Sequence, residues 1–159
     1  MAETRWLTDK EQRAWRAWIA ATALLNDRLE RDLKTEHGMS LAEYEVLVRL
    51  SEAADHRLRM SDLASQTLSS KSRLSHQVSR MEADGLVVRE ECYVDRRGAW
   101  AVLTDAGWRR LTEAAPDHVE SVRQHLVDVL GPEQLEQLGT ACRTVANHLE
   151  HESRDWPRR

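Results

Sequence analysis

Apolar positions in the first third of the chain recur at helical spacing. Trp15, Trp18, Ile19, Thr22, Leu25, Leu29 and Leu33 fall on one stripe. Thr8 and Glu11 form a capping box at its start. The pattern predicts a helix from Thr8 to about Glu36, stopped by Gly38. Ser40 and Glu43 make a second capping box. The helix they begin turns Leu41, Tyr44, Leu47, Val48 and Leu50 toward a core and ends near Ala54. Residues 57–60 read as a short strand. Ser61 caps a brief helix to about Gln66, and Ser69 or Ser70 caps the next, which runs to about Asp84 before Gly85 ends it. Two β-rich runs follow, LVVREE at 86–91 and AWAVLT at 99–104, around a loop that holds Asp95, Arg96, Arg97 and Gly98.

Thr104 caps a long final helical region, with Asp105 in its first turn. Leu111, Ala115, Val119, Val122, Leu126 and Val129 trace its stripe, and Pro116 is expected to kink it. GPEQ at 131–134 breaks and restarts the helix with Pro132 at its first position. The last helix carries Leu135, Leu138, Cys142, Val145 and Leu149, then is expected to fray into HESRDWPRR. The fold class is therefore mainly α with a small β-hairpin wing. It is a winged helix-turn-helix over about residues 40–104, flanked by helices over about 8–37 and 105–150, in a single domain spanning 1–159. None of the outer helices can hide its stripe alone, so they are expected to join two copies of the chain.

Charge sharpens the picture. The 159 residues carry a formal net charge of −4. Residues 56–110 nevertheless hold ten Lys/Arg against seven Asp/Glu, and the rest holds 13 against 20. From Leu63 to Met81 there is no acidic residue. A basic middle between acidic flanks is an electrostatic footprint confined to one module. A helix bearing Lys71, Arg73, His76 and Arg80 with no carboxylate suits the phosphate-lined major groove of double-stranded DNA.

With Ser70 as cap, Leu74, Val78 and Met81 face inward, and Lys71, Ser72, Arg73, Ser75, His76 and Gln77 are presented outward. Arg73 matches guanine O6 and N7 as a bidentate donor, and His76 and Gln77 suit a neighbouring base. Ser70, Ser72 and Ser75 suit phosphate or close base contacts, while Lys71 and Arg80 suit the backbone.

The chain resembles the multiple-antibiotic-resistance regulator (MarR) family of bacterial transcription factors from about Trp15 to Leu149. The residues that carry the resemblance are Ser70, Lys71, Ser72, Arg80, Glu82, Asp95, Arg97, Leu103, Thr104 and Gly107, with GPEQLEQL beyond. It implies a two-fold symmetric homodimer on a palindromic operator. It also implies a repressor, released when a small molecule or an oxidant alters the spacing of the modules. In the wing, it implies that Arg97 enters the minor groove and that Asp95 holds its guanidinium, with Arg96 beside it. Family members often have Gly before the recognition helix. This chain has Leu68, and a longer or less tight turn is expected.

The family's effector pocket points to Trp15, Trp18, Tyr44 and Trp108 as apolar walls, although aromatic stripes at this spacing are more often core. Arg109 or Arg110 would pair with the carboxylate of an anionic aromatic effector. A metal- or redox-responsive regulator of the same fold is the alternative. None of the seven histidines completes a metal site at ligand spacing. Cys92 follows Glu90 and Glu91, whose charge should raise its pKa, and Cys142 sits on an apolar stripe. No cofactor, metal or catalytic residue is expected. Gly-rich phosphate loops, nucleophile elbows and two-histidine metal helices are all missing from the sequence, so it does not read as an enzyme. No run of about 18 apolar residues exists to span a membrane. The N-terminus lacks a signal-peptide core, and a cytoplasmic protein is expected.

Overall fold

Local capping sets most of the element boundaries. The computed structural model describes the backbone of residues 3–91 and 98–155. Cys92, Asp95, Arg96 and Arg97 lie outside the described residues. In chain order the elements are α1 (Asp9–His37), α2 (Leu41–Glu52), a 3-10 turn (Ala54–His56), β1 (Arg57–Arg59), α3 (Met60–Gln66) and α4 (Lys71–Ala83). After these come β2 (Val87–Glu91), β3 (Ala99–Leu103), α5 (Asp105–Val122), a π-helical turn (Arg123–Val127) and α6 (Pro132–Asp155). The chain divides into two compact units, one to Val119 and one from Glu120.

Both expected capping boxes are present. Thr8 and Ser40 each accept from the backbone N–H three residues on, and Glu11 and Glu43 reach back to the cap N–H. Gly38 takes φ 59 and closes α1 in the left-handed conformation that glycine adopts without a Cβ clash. Some boundaries differ from expectation. Arg59, not Ser61, stands at the N-cap of α3, and no side chain caps that helix. A π-helical turn, Arg123–Val127, follows α5, which contains Pro116. α6 continues to Asp155 instead of fraying at His151.

In the first unit, α2, α3 and α4 pack with a three-stranded antiparallel sheet of order β1-β3-β2. Leu47, Leu50, Leu63, Leu74, Val78, Met81 and Val87 are fully enclosed. Each such side chain contributes roughly 1.5–3 kcal/mol by leaving water. Period-two alternation splits the sheet. Ala101 and Leu103 face the core, while Trp100 and Val102 lie opposite Arg59 and Arg57 on the outer face. Trp100 lies under both arginines there, 4.6 and 5.3 Å from its ring centroid. Val46, on no expected stripe, is 1% exposed. The first half of α1 is exposed throughout, and its buried residues are Leu29 and Leu33.

The turn into α4 is tight, contrary to expectation. Ser69 N–H donates to Ala64 C=O (3.0 Å) and Leu68 N–H to Ser65 C=O (3.3 Å). This is a Schellman closure, with Leu68 at the position where glycine is usual. Leu68 takes the glycine conformation itself, at φ 50. Left-handed backbone costs a residue with a Cβ about 1–2 kcal/mol.

The junction of wing and α5 turns on Thr104 and Gly107. Thr104 Oγ1 accepts from Gly107 N–H (3.0 Å) as the cap of α5, and it donates to the Gly85 and Leu86 carbonyls (2.7 and 3.0 Å). That seats the first turn of α5 on the Leu86 carbonyl. A Cβ at Gly107 would lie 2.1 Å from that oxygen and 2.7 Å from Leu103 Cδ1. Gly107→Ala is therefore expected to lower stability by about 1–3 kcal/mol. A urea midpoint equal to that of the wild type would contradict the close approach.

Candidate nucleic-acid interface

α4 is held by one face. Leu74, Gln77, Val78 and Met81 are buried, which leaves Lys71, Ser72, Arg73, Ser75, His76, Ser79 and Arg80 exposed. Ser70 caps the helix, accepting from Arg73 N–H (3.2 Å), which resolves the Ser69/Ser70 alternative. The first turn holds no acidic side chain, and its free N–H groups add partial positive charge to Lys71 and Arg73. Among the described residues, Lys71, Arg73, His76 and Arg80 take part in no ion pair.

One predicted reader sits on the wrong side. Gln77 is 6% exposed, between Leu74 and Val78 on the inward face, not among the outward side chains. Its position follows from helical geometry, since residue 77 lies one turn from both Leu74 and Met81. Its Nε2 is enclosed with no hydrogen-bond partner among the described residues.

Arg89, on no pattern of the sequence, joins β2 to α4. Its partner in β3 is Ala101, so it projects to the inner side of the sheet, toward α4. Its guanidinium donates to Ser75 C=O (2.6 Å) and Ser79 Oγ (3.0 Å) and lies 3.4 Å from the Glu82 carboxylate. Its backbone N–H donates to the same carboxylate (3.1 Å). Glu82 thus neutralises a wing-strand arginine, not an outward cation of α4. A family-pattern Glu82 with an arginine seven residues on was the available signal. Arg89→Ala is expected to lower stability by about 1–2 kcal/mol and to speed amide exchange in β2. Exchange unchanged in β2 would show that this bracket holds nothing.

The four aromatics proposed as pocket walls have different surroundings. Trp15 and Trp18 are 54% and 47% exposed on α1. Trp108 packs against His56, with ring centroids 5.0 Å apart. Tyr44 is buried against His118 at 4.3 Å. Of the two arginines suggested for an effector carboxylate, Arg110 already donates to the His37 carbonyl at the end of α1.

Burial raises the Tyr44 pKa and lowers that of His118, whose Nδ1 is enclosed with no hydrogen-bond partner among the described residues. As pH falls below about 6.5, an unfolded histidine takes a proton before the buried one does. Stability is therefore expected to decline with acidification through that window, more steeply in the wild type than in His118→Phe. Equal slopes in pH-dependent melting would remove His118 from the account.

No metal site is readable from ligand spacing along the sequence. The fold nevertheless places ligand atoms of Glu36, His37 and Asp117 within 4.8 Å of one another. Their separation in sequence, across α1 and α5, conceals this. His37 Nε2 and Asp117 Oδ2 are hydrogen-bonded at 2.9 Å. Cys142 is half-buried on α6. Among the described residues no helix is long and apolar enough to cross a membrane.

The whole arrangement has close counterparts. A MarR family profile matches residues 37–98. The fold superposes on AbsC, a MarR family transcriptional regulator from Streptomyces coelicolor, with TM-score 0.88 and 51% identity, covering 93% of this chain and 99% of that one. It also superposes on Sco3205, a MarR family transcriptional regulator of the same organism solved in complex with DNA. There the TM-score is 0.89 and the identity 48%, with 92% of each chain covered. The HTH-type transcriptional repressor YetL of Bacillus subtilis (strain 168) is 29% identical over 85 residues, 54% of this chain and 51% of that protein. The chain belongs to the MarR family, whose members are transcriptional regulators and not enzymes.

Proposed function

We propose that the chain binds double-stranded DNA as a homodimer on a palindromic operator, in the cytoplasm, and represses transcription until a small aromatic effector releases it. The observation that carries the reading is the outward face of α4: Lys71, Arg73, His76 and Arg80 with the helix's one carboxylate, Glu82, taken up by Arg89, on a helix whose opposite face is locked into the core. Sco3205, 48% identical, was solved with DNA, and YetL is a repressor; both descriptions suit this assignment.

Arg73 is the base reader, with its fork toward guanine O6 and N7, and His76 lies one turn on for a neighbouring base. Lys71 and Arg80 neutralise phosphates, and Ser70 and Ser72 supply short donors at the helix start. Ser75 supplies a hydroxyl, and its carbonyl is bracketed by Arg89. Gln77 supports from inside and makes no base contact. In the wing, Arg97 enters the minor groove with Asp95 and Arg96 beside it. That part rests on the family resemblance alone. The dimer rests on exposed apolar side chains of the outer helices: Trp15, Trp18, Ile19 and Leu24 on α1, and Val145 and Leu149 on α6.

The test is a fluorescence-anisotropy titration against a duplex selected from a randomised pool by the wild-type protein. Arg73→Ala is expected to weaken binding by about 1–3 kcal/mol and to relax preference at one base pair. Lys71→Ala should weaken all duplexes alike and reduce the salt slope by about one. Arg97→Ala should also lose about 1–3 kcal/mol. Wild-type affinity in Arg73→Ala at matched salt would contradict the assignment of α4 as the reading helix.

A further inference from the structure

Leu68 combines two unfavourable features at one position. It is 93% exposed, with its apolar side chain almost wholly in water. It also holds left-handed backbone, φ 50, at the Schellman position where glycine or asparagine would sit without strain. A lone exposed leucine is ordinary on a protein surface. One that also strains its backbone is not, because replacement by glycine would remove both penalties and leave every hydrogen bond of the turn intact. The free protein gains nothing visible from this side chain. Strain that the isolated fold does not need commonly belongs to a bound state.

Its place in the chain says which bound state. Ser69 follows, Ser70 caps α4, and Lys71, Ser72 and Arg73 form the first helical turn. The start of α4 is the end that the proposed function carries into the major groove. Leu68 stands two residues before that cap, and on that reading it would meet the groove wall beside the helix start. The apolar surfaces a duplex offers there are the thymine C5-methyl and the carbon face of deoxyribose.

We propose that Leu68 is a DNA-contact residue whose isobutyl group packs on such an apolar surface beside the first turn of α4. The inference rests on the proposed DNA-binding role and adds a van der Waals reader to a face otherwise made of cations and hydroxyls. Contact with the duplex takes the side chain out of water, and that gain offsets the backbone strain which the free protein carries.

The experiment compares the wild type with Leu68→Gly and Leu68→Asn in the full-length protein. Each is titrated against the duplex selected by the wild type and melted in parallel. Both substitutions relieve the left-handed strain, so both variants should melt higher by about 1–4 °C. Both should nevertheless bind about fivefold more weakly, the scale of one or two buried methylene groups, with the salt slope unchanged because no phosphate contact is lost. A purely structural residue would not give a more stable protein with poorer binding.

Replacing thymines by uracil one at a time then locates the contact. A wild-type loss at one position that is absent in Leu68→Gly assigns the thymine methyl. A uniform loss on thymine and uracil duplexes assigns deoxyribose. Binding equal to or tighter than the wild type in both variants, while Arg73→Ala still loses affinity, overturns the assignment of Leu68 and leaves the role of α4 standing. Failure of the wild type to select any duplex overturns both.

Discussion

Burial of one face of α4 is the constraint on which the molecule turns. Leu74, Val78 and Met81 enter the core with Leu47, Leu50, Leu63 and Val87, and a helix so anchored cannot rotate without exposing them. Helical periodicity then decides what the other face presents. The side chains left over are Lys71, Ser72, Arg73, His76 and Arg80, and the one acid on this helix, Glu82, is engaged by Arg89 and not by them. Several arginines elsewhere are paired at home: Arg28 with Asp32, Arg57 with Glu90, Arg123 with Asp128. Charge left unpaired on a rigid face is charge available to an external polyanion.

The same helix sets the position of the wing. Arg89 reaches from β2 to the backbone and hydroxyls of α4, with Glu82 balancing its charge. At the other end of the hairpin, Thr104 caps α5 while bonding the carbonyls that precede β2, and Gly107 lets the helix approach that strand. α4, the wing strands and the start of α5 are thereby tied as one framework. Such ties hold α4 and the wing strands at a fixed angle to each other.

Most elements were legible because their ends carry local chemistry. Thr8, Ser40, Ser70, Gly38, Gly85 and Pro132 mark boundaries through interactions spanning a few residues, and the sequence states those directly. What escaped depends on neighbours distant in sequence. Gln77 looks like an exposed polar residue until the core pattern of α4 is set in three dimensions. Arg89 reads as one charge in a polar strand until register with Ala101 turns it inward. Glu36 and His37 on α1 meet Asp117 on α5, 80 residues beyond His37 in the chain. Ser61 satisfied the pattern for a cap, yet Arg59 took the position because β1 runs straight into α3. The departure at Leu68 was visible as an unusual residue in a turn. That the turn would keep its tight form and place the strain on leucine was not.

The most direct test of the central claim is a hydroxyl-radical footprint of the protein on the duplex it selects. Two copies, each inserting α4, should give two protected patches related by a dyad and centred about one helical turn apart. A single unpaired patch, or protection that follows overall charge with no fixed register, would contradict the account.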